Sequence, residues 1–569
     1  MRTESKSSME RLLHQLAKHP YLSVIGMCLL LFFFGFCEKA NLTIGSYIYA
    51  GVAILAVFAG LTFLGKIGKD TKENVIIFLF AAVFSGISLF LIYYTGNSIA
   101  LMLWISLFML ALFAIILKAI GQLTPRTLVM LMIAGGIMLR FVYVLYTDSS
   151  SRQHDVGYFN WTWGHANYIE YWYNNGLKLP DFDVRSIWQY YQPPLHHWLM
   201  ALLLKVLTLF GMQYDMACQA IQILPMTYSA LILVVSYRIF RWVKLNGLPL
   251  IIAMGVLCFH PTFVLMGGFY NNDILSMLLM LMSVMFALRW YKEPTLKKII
   301  PIALCIGLGM MAKLSAWMAA PAIALMFLYV FVKNIKSWKR YIGQFAIFGV
   351  ICAPLGLWWQ IRNYFAFGVP ITYVPYLSEQ DAQYCGNLPW TKRLFDFGNG
   401  QLSFVYDAFS DPNFGAPYNE YNPTLGLIKT SLFGEGQNAI SDIHFPLIAV
   451  TGPILFWIGS LLALLCFVAF VVMMIRKDSG LDVMSRVFFS VFTATMLLSY
   501  YLYSFKFPFT CSMNIRFCVP LITILVMGLG LLLQRFCGKT LPEKILRYGS
   551  IGLVCAFSIM TCVVYTQIG

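Results

Sequence analysis

Charge is scarce in this chain, and acids are scarcer than bases: 24 Asp and Glu against 40 Lys and Arg in 569 residues. Charged residues are 11% of the sequence, where a soluble domain carries about 25%. That deficit excludes an ordinary soluble globular protein. The 13 cysteines form no CxxC motif, so the spacing encodes neither a thiolate metal site nor a disulfide framework. A bridge between Cys385 and Cys511, both in candidate external loops, is open but unsupported by spacing. No internal repeat is visible, so the repeated architecture of many transporters is not evident. The polar N-terminus has no convincing small-residue cleavage site. The apolar run at 21–37 therefore reads as a retained first span with its N-terminus in the cytoplasm.

What is abundant is apolar sequence, 60% of the chain, with a mean hydropathy of +0.73. About 20 apolar residues cross a bilayer as a helix. We read spans near 21–37, 47–65, 75–94, 98–117, 127–146, 217–237, 248–267, 274–290, 299–314, 316–333, 341–359, 445–474, 487–504, 517–534 and 548–566. The fold class is an all-α polytopic membrane protein of about 15 spans. The net charge of +16 falls mostly in short loops between spans, as a cytoplasmic excess does. No solvated basic patch points to nucleic acid.

The segment 195–211 is apolar, and parity decides its role. If it crossed, the basic loops at Arg238–Lys244, Lys292–Lys298 and Lys333–Arg340 would all face outward, against the charge rule. An interfacial helix carrying His196, His197 and Lys205 restores the rule. The loops 148–197, 268–273, 360–444 and 505–516 then share the extracytoplasmic side, with the C-terminus outside.

Those loops hold the candidate chemistry. Asp155, beside His154, follows a span and could act as a general base. Asn271, Asn272 and Asp273 occupy a very short turn, where helix capping competes with a site role and Asp273 could do both. Lys313, Arg362 and Arg516 are cations in separate loops on the side where cations should be scarcest. Snorkelling would explain each singly. Together they suit a phosphate at headgroup depth, Arg by a bidentate fork and Lys as a point charge. Lys429 and Glu435 stand near the end of the loop 360–444. Adjacent His196 and His197 point to different faces of a helix, so substrate contact or a structural role outranks metal binding.

HDVGYFN from His154, the Tyr191-Gln192-Pro193-Pro194-Leu195 segment, Gly267–Leu275, AKLSA around Lys313 and WWQIRNYFAFGVP around Arg362 resemble, in order and spacing, motifs of one family. It is the GT-C superfamily of membrane glycosyltransferases, in particular the protein O-mannosyltransferase and lipid A aminoarabinose transferase group. The resemblance covers residues 127–535. It implies a GT-C-type core of about 11 helices with about four extra N-terminal spans, and two long external loops with interfacial helices. The units are then 1–126, an N-terminal membrane module; 127–359, the core with its loop 148–197; 360–444, a large external loop; and 445–569, the closing helices.

The resemblance further implies an inverting transfer from a polyprenyl-phosphate sugar to an extracytoplasmic acceptor. The membrane would be the plasma membrane of a bacterium or the endoplasmic reticulum of a eukaryote. Asp155 would be the base. Arg362, with Lys313 or Arg516, would hold the leaving phosphate. His154, Gln192, His196, Asn272, Asp273 and Glu435 would contact substrate. Two departures stand out. Many relatives carry a second acid where this chain has Val156, which disfavours a divalent metal, and the lipid A group has Lys where this chain has Gln192. No cofactor is expected. The alternative is a flippase of lipid-linked sugars.

Overall fold

A computed structural model describes residues 20–32, 99–119, 121, 123–146, 155–398, 402, 405, 420–434, 448–536, 538 and 540–567. The spans expected at 47–65 and 75–94 lie outside these residues, as do His154 and Glu435. Among the described residues every regular element is helical. In chain order they are α1 (Pro20–Phe32), α2 (Ile99–Ala119), α3 (Pro125–Tyr146), α4 (Gly164–Asn174), α5 (Leu195–Leu209), α6 (Tyr214–Ala220), α7 (Ile223–Trp242), α8 (Gly247–Cys258), α9 (Pro261–Leu265) and α10 (Asp273–Lys292). There follow α11 (Leu296–Ala312), α12 (Ala320–Lys333), α13 (Trp338–Phe367), α14 (Trp390–Phe395), α15 (Pro423–Phe433), α16 (Ile448–Ile475), α17 (Val483–Lys506), α18 (Pro520–Arg535) and α19 (Leu541–Gln567).

Eight helical stretches among the described residues are long and apolar enough to cross a bilayer, so this is an integral multi-pass membrane protein. α5 is a 15-residue helix, shorter than the roughly 20 residues a crossing needs. The segment expected as one span at 248–267 is two helices. His260 caps the second, accepting the Thr262 N–H, and Pro261 opens it, where the missing N–H costs nothing.

α11 packs between α10 and α13, and α16 packs on α18 and α19. The N-terminal helices join this bundle: α1 lies on α7, and α2 on α3. Arg140 in α3 is fully buried. Its guanidinium donates to Ser229 Oγ (2.8 Å) in α7 and to the Cys258 carbonyl (2.8 Å) ending α8. A cation on the free carbonyls of a helix end satisfies groups that nothing in lipid could. Arg140 thus ties three helices together.

Alternation of the long helices sorts the loops into two ends. At one end Tyr291 donates to Asp482 (3.0 Å), Arg340 to the Pro294 carbonyl (2.6 Å) and Gln534 to the Lys244 carbonyl (3.1 Å). The basic loops gather there. α10 begins at the other end with Asp273, and α11 returns to it at Lys313.

α13 departs from expectation. Its boundary was expected near 359, but the helix runs on to Phe367 and ends at Gly368 in the left-handed conformation, φ 66°, which glycine adopts without penalty. Arg362 therefore sits on a helix rather than at the start of a loop.

Candidate functional site

The chain around Asp155 is closed into a small knot. The first N–H groups of α4 have no side-chain cap. Instead His165 N–H donates to the Asp155 carbonyl (3.1 Å) and Ala166 N–H to the Val156 carbonyl (2.8 Å), satisfying donors a helix start leaves free. Two glycines make the crossing possible. A Cβ on Gly157 would meet the Trp163 carbonyl at 2.3 Å, and one on Gly164 the Val156 carbonyl at 2.3 Å; both have positive φ. Asp155 itself has φ 55°, a conformation seldom held by a residue with a side chain. Buried Glu170 on α4 accepts the Asn160 N–H (2.7 Å) and the Tyr214 hydroxyl (2.7 Å), fastening the knot to α6.

Arg516 faces Asp155 from the turn before α18. Both terminal guanidinium nitrogens lie 3.5 Å from Asp155 Oδ2. Asn514 fixes this turn by accepting the Arg516 N–H (2.9 Å), and the Ile515 N–H donates to Thr430 on α15 (2.9 Å). Burial works against the Arg516 charge, but the Asp155 and Asp273 carboxylates outweigh it and hold the guanidinium above its ordinary range.

The second pair is Asp273, the first residue of α10, with Lys313, just past α11 (2.5 Å). Asn272 sets the spacing: its amide donates to the Ala312 carbonyl (2.6 Å) and to Gln192 Oε1 (3.3 Å). The 271–273 turn thus bridges the end of α11 and the Pro-Pro segment. It begins a helix and faces the site at once.

Asp155, His165, Gln192, Asp273, Lys313 and Arg516 border one cavity of about 670 Å³. Its remaining wall is largely apolar. Trp317, Ile371 and Leu502 border it and are themselves exposed on the protein surface.

The structure does not bring Arg362 to this cavity. Arg362 donates to the Pro180 carbonyl and to Asn363 Oδ1 (2.8 Å), and its guanidinium lies over the Trp359 and Phe367 rings. The helix that carries it continues past the expected boundary, which turns it toward the 148–197 loop. His196 is buried behind the site and bonds the Tyr270 carbonyl (2.9 Å), supporting the 271–273 turn from outside the cavity. Lys429 pairs with buried Glu420 (2.5 Å). Cys385 donates to the Pro508 carbonyl through its N–H (2.8 Å) and its thiol (3.2 Å), and it forms no disulfide with Cys511. Among the described residues no group of three His, Cys, Asp or Glu side chains is placed to hold a metal.

His165 was not foreseen as a site residue. It borders the cavity, and its Nδ1 lies 2.8 Å from His197 Nε2 with the two rings parallel. Burial pushes the His165 imidazole well below its usual range, against the pull of Asp155, so the ring is neutral. The sequence signal was weak: two histidines 32 residues apart show no helical period.

No family model matches this chain, and no curated protein does. Among solved structures it is similar to the apo-state crystal structure of ArnT from Cupriavidus metallidurans, with 12% identity and a TM-score of 0.42 over 77% of this chain and 75% of that one.

Proposed function

We propose that this protein transfers a glycosyl group from a polyprenyl-phosphate donor to a hydroxyl acceptor on the extracytoplasmic face of its membrane, with inversion. The observation that carries this reading is the meeting of Asp155, Arg516, Asp273 and Lys313 around one cavity at the end of the bundle away from the basic loops. The exposed apolar wall at Trp317, Ile371 and Leu502 suits a donor that arrives in lipid.

The chemistry follows from the charges. Asp155 takes the proton of the acceptor hydroxyl as its oxygen attacks the anomeric carbon from the face opposite the phosphate. The bond from the anomeric carbon to the phosphate oxygen breaks, and its electron pair leaves with the phosphate. Arg516 and Lys313 stabilise that charge as it develops, Arg516 by its fork and Lys313 as a point charge. Each is held before reaction by a carboxylate, so donor binding exchanges one anion for another and leaves Asp155 free as a base.

A flippase would want free charges at mid-membrane depth. Among the described residues Arg140 is the buried cation within a span, and its donors are committed to Ser229 and to the carbonyls of Gly136, Leu257 and Cys258. The test is to incubate purified protein with a panel of radiolabelled polyprenyl-phosphate sugars and candidate hydroxyl acceptors. Consumption of one donor, with the product anomer inverted, is the expected result. No consumption of any donor, with lipid-linked sugar crossing liposome membranes instead, contradicts the proposal.

A further inference from the structure

Two buried carboxamides on the cavity wall are used neither by the fold nor by the charge chemistry above. Gln189 is 2% exposed and Gln360 is 7% exposed, and both border the cavity. The side-chain oxygen of each is buried without a partner, and neither side-chain nitrogen donates to any described residue. Every other buried Asn or Gln among the described residues makes at least one side-chain hydrogen bond. Flipping either amide leaves this unchanged, because both its ends are free. Buried polar groups are almost always matched, and one left unmatched destabilises the fold. Two of them kept on one cavity wall are matched by what the cavity binds.

Gln189 also has φ 79°, a backbone region that a residue with a side chain seldom occupies. Such strain persists where the surroundings over-determine it, and here they do. Gln189 lies in the turn 187–192, closed by the Tyr190 N–H on the Ile187 carbonyl (3.2 Å) and the Gln192 N–H on the Gln189 carbonyl (3.1 Å). The Trp188 carbonyl accepts the Gly164 N–H (3.3 Å), which ties the turn to the Asp155 knot. The Gln192 side chain accepts from Asn272 (3.3 Å), which ties it to the Asp273–Lys313 pair. The Tyr191 carbonyl accepts the indole N–H of Trp359 (3.0 Å), the residue before Gln360. The two amides thus stand on elements fastened to each other, to the proposed base and to the cation turn. In the transfer proposed above, the group that spans base and leaving phosphate is the sugar.

We infer that Gln189 and Gln360 bind hydroxyl groups of the transferred sugar and set which sugar the protein accepts. This rests on the glycosyl-transfer reading. A carboxamide both donates and accepts, as a hydroxyl does, so the pair suits the uncharged, hydroxyl-bearing part of a sugar ring. A site built in this way rejects a sugar lacking the matched hydroxyl, because the buried amide is then left unpaired.

The test uses Gln189→Met and Gln360→Met in the full-length protein, which keep the side-chain length and remove the amide. The first readout is the thermal midpoint without donor. Both variants should melt at or above the wild-type midpoint, since the fold loses no hydrogen bond. A midpoint several degrees lower in either variant makes that amide structural and overturns its part in the inference.

The second readout is kcat/KM for the polyprenyl-phosphate sugar that wild type consumes fastest and for its monodeoxy analogues. Each Met variant should lose about 3–10-fold on the parent sugar, the worth of one neutral hydrogen bond. Wild type should show a similar loss at one deoxy position per glutamine, and the matching Met variant should lose nothing further there. Parent kinetics unchanged, or every analogue losing as much in the variants as in wild type, overturns the inference. A raised acceptor KM with unchanged donor hydrolysis moves the amides to the acceptor and overturns the assignment to the sugar. Wild-type protein that consumes no donor defeats the glycosyl-transfer reading itself, whereas active wild type with unaltered Met variants defeats this inference alone.

Discussion

Arg516 and Asp155 meet across 361 residues of sequence, with both terminal guanidinium nitrogens 3.5 Å from the same carboxylate oxygen. The pair joins the first long loop to the last turn before α18. On the proposed reading, an anionic donor entering between them would release both, Asp155 as the base and Arg516 as the phosphate ligand.

That relationship separates the cations. Arg516→Ala should cost more in donor binding than Arg362→Ala. Arg516→Lys, which keeps the charge but loses the fork, should fall between wild type and Arg516→Ala. Arg362→Ala should instead loosen the contact between α13 and Pro180, seen as faster proteolysis of the 148–197 loop at near-normal donor KM. Equal donor KM changes in the two alanine variants would contradict this division of labour.

The glycine crossing offers a second prediction. Gly157→Ala and Gly164→Ala each place a Cβ against a backbone carbonyl at 2.3 Å. Neither carbonyl can yield without opening the knot, and the positive φ adds about 1–3 kcal/mol of strain. Both variants should lose activity while the membrane bundle keeps its helical circular dichroism. Gly176→Ala, also at positive φ but with open space around it, should stay active.

Stability should fall in mild acid through His165. Its folded pKa lies below the ordinary 6.5, so the unfolded chain binds the proton first. A depressed folded pKa contributes stability that is present above about pH 6.5 and is lost as the pH falls below it. The groups facing the ring are Asp155, Lys313, Arg516, His196 and His197. The thermal midpoint of wild type should drop between pH 7.5 and pH 5, and the drop should be smaller in His165→Gln. Parallel curves would show that His165 does not titrate in this way.

The Glu420–Lys429 pair is buried at both ends, with side chains 1% and 4% exposed. Lys429→Met leaves a buried carboxylate alone and should cost about 3–5 kcal/mol. Glu420→Gln on the same background should restore part of that, because an uncharged amide costs less to bury. A thermal shift series on the two single variants and the double variant checks it.

Much of this was legible in the sequence, and particular residues show where it stopped. Asp155, Asp273, Lys313 and Arg516 were readable because each is a charge just outside an apolar run, and the charge rule put their loops on one side. Arg362 was misplaced because WWQIRNYFAF reads as the end of a span. The stop signal was Gly368, nine residues beyond Trp359. The Asp155 knot left no capping signature because backbone carbonyls, not side chains, satisfy the start of α4. The partner of Lys429 is Glu420, on the other side of the α15 start, and no helical spacing marks that pair in the sequence. The His165–His197 contact depends on α4 packing against α5, which no local pattern encodes.

The central claim is that Asp155 is the base of a glycosyl transfer, and single-turnover transfer by Asp155→Asn tests it most directly. Purified wild type and variant are each loaded with the donor that wild type consumes, and donor binding is confirmed for both. Wild type should transfer sugar to the acceptor, and Asp155→Asn should do so about 10²–10⁴-fold more slowly at undiminished donor affinity. Transfer at the wild-type rate by Asp155→Asn would remove Asp155 from the chemistry and contradict the account.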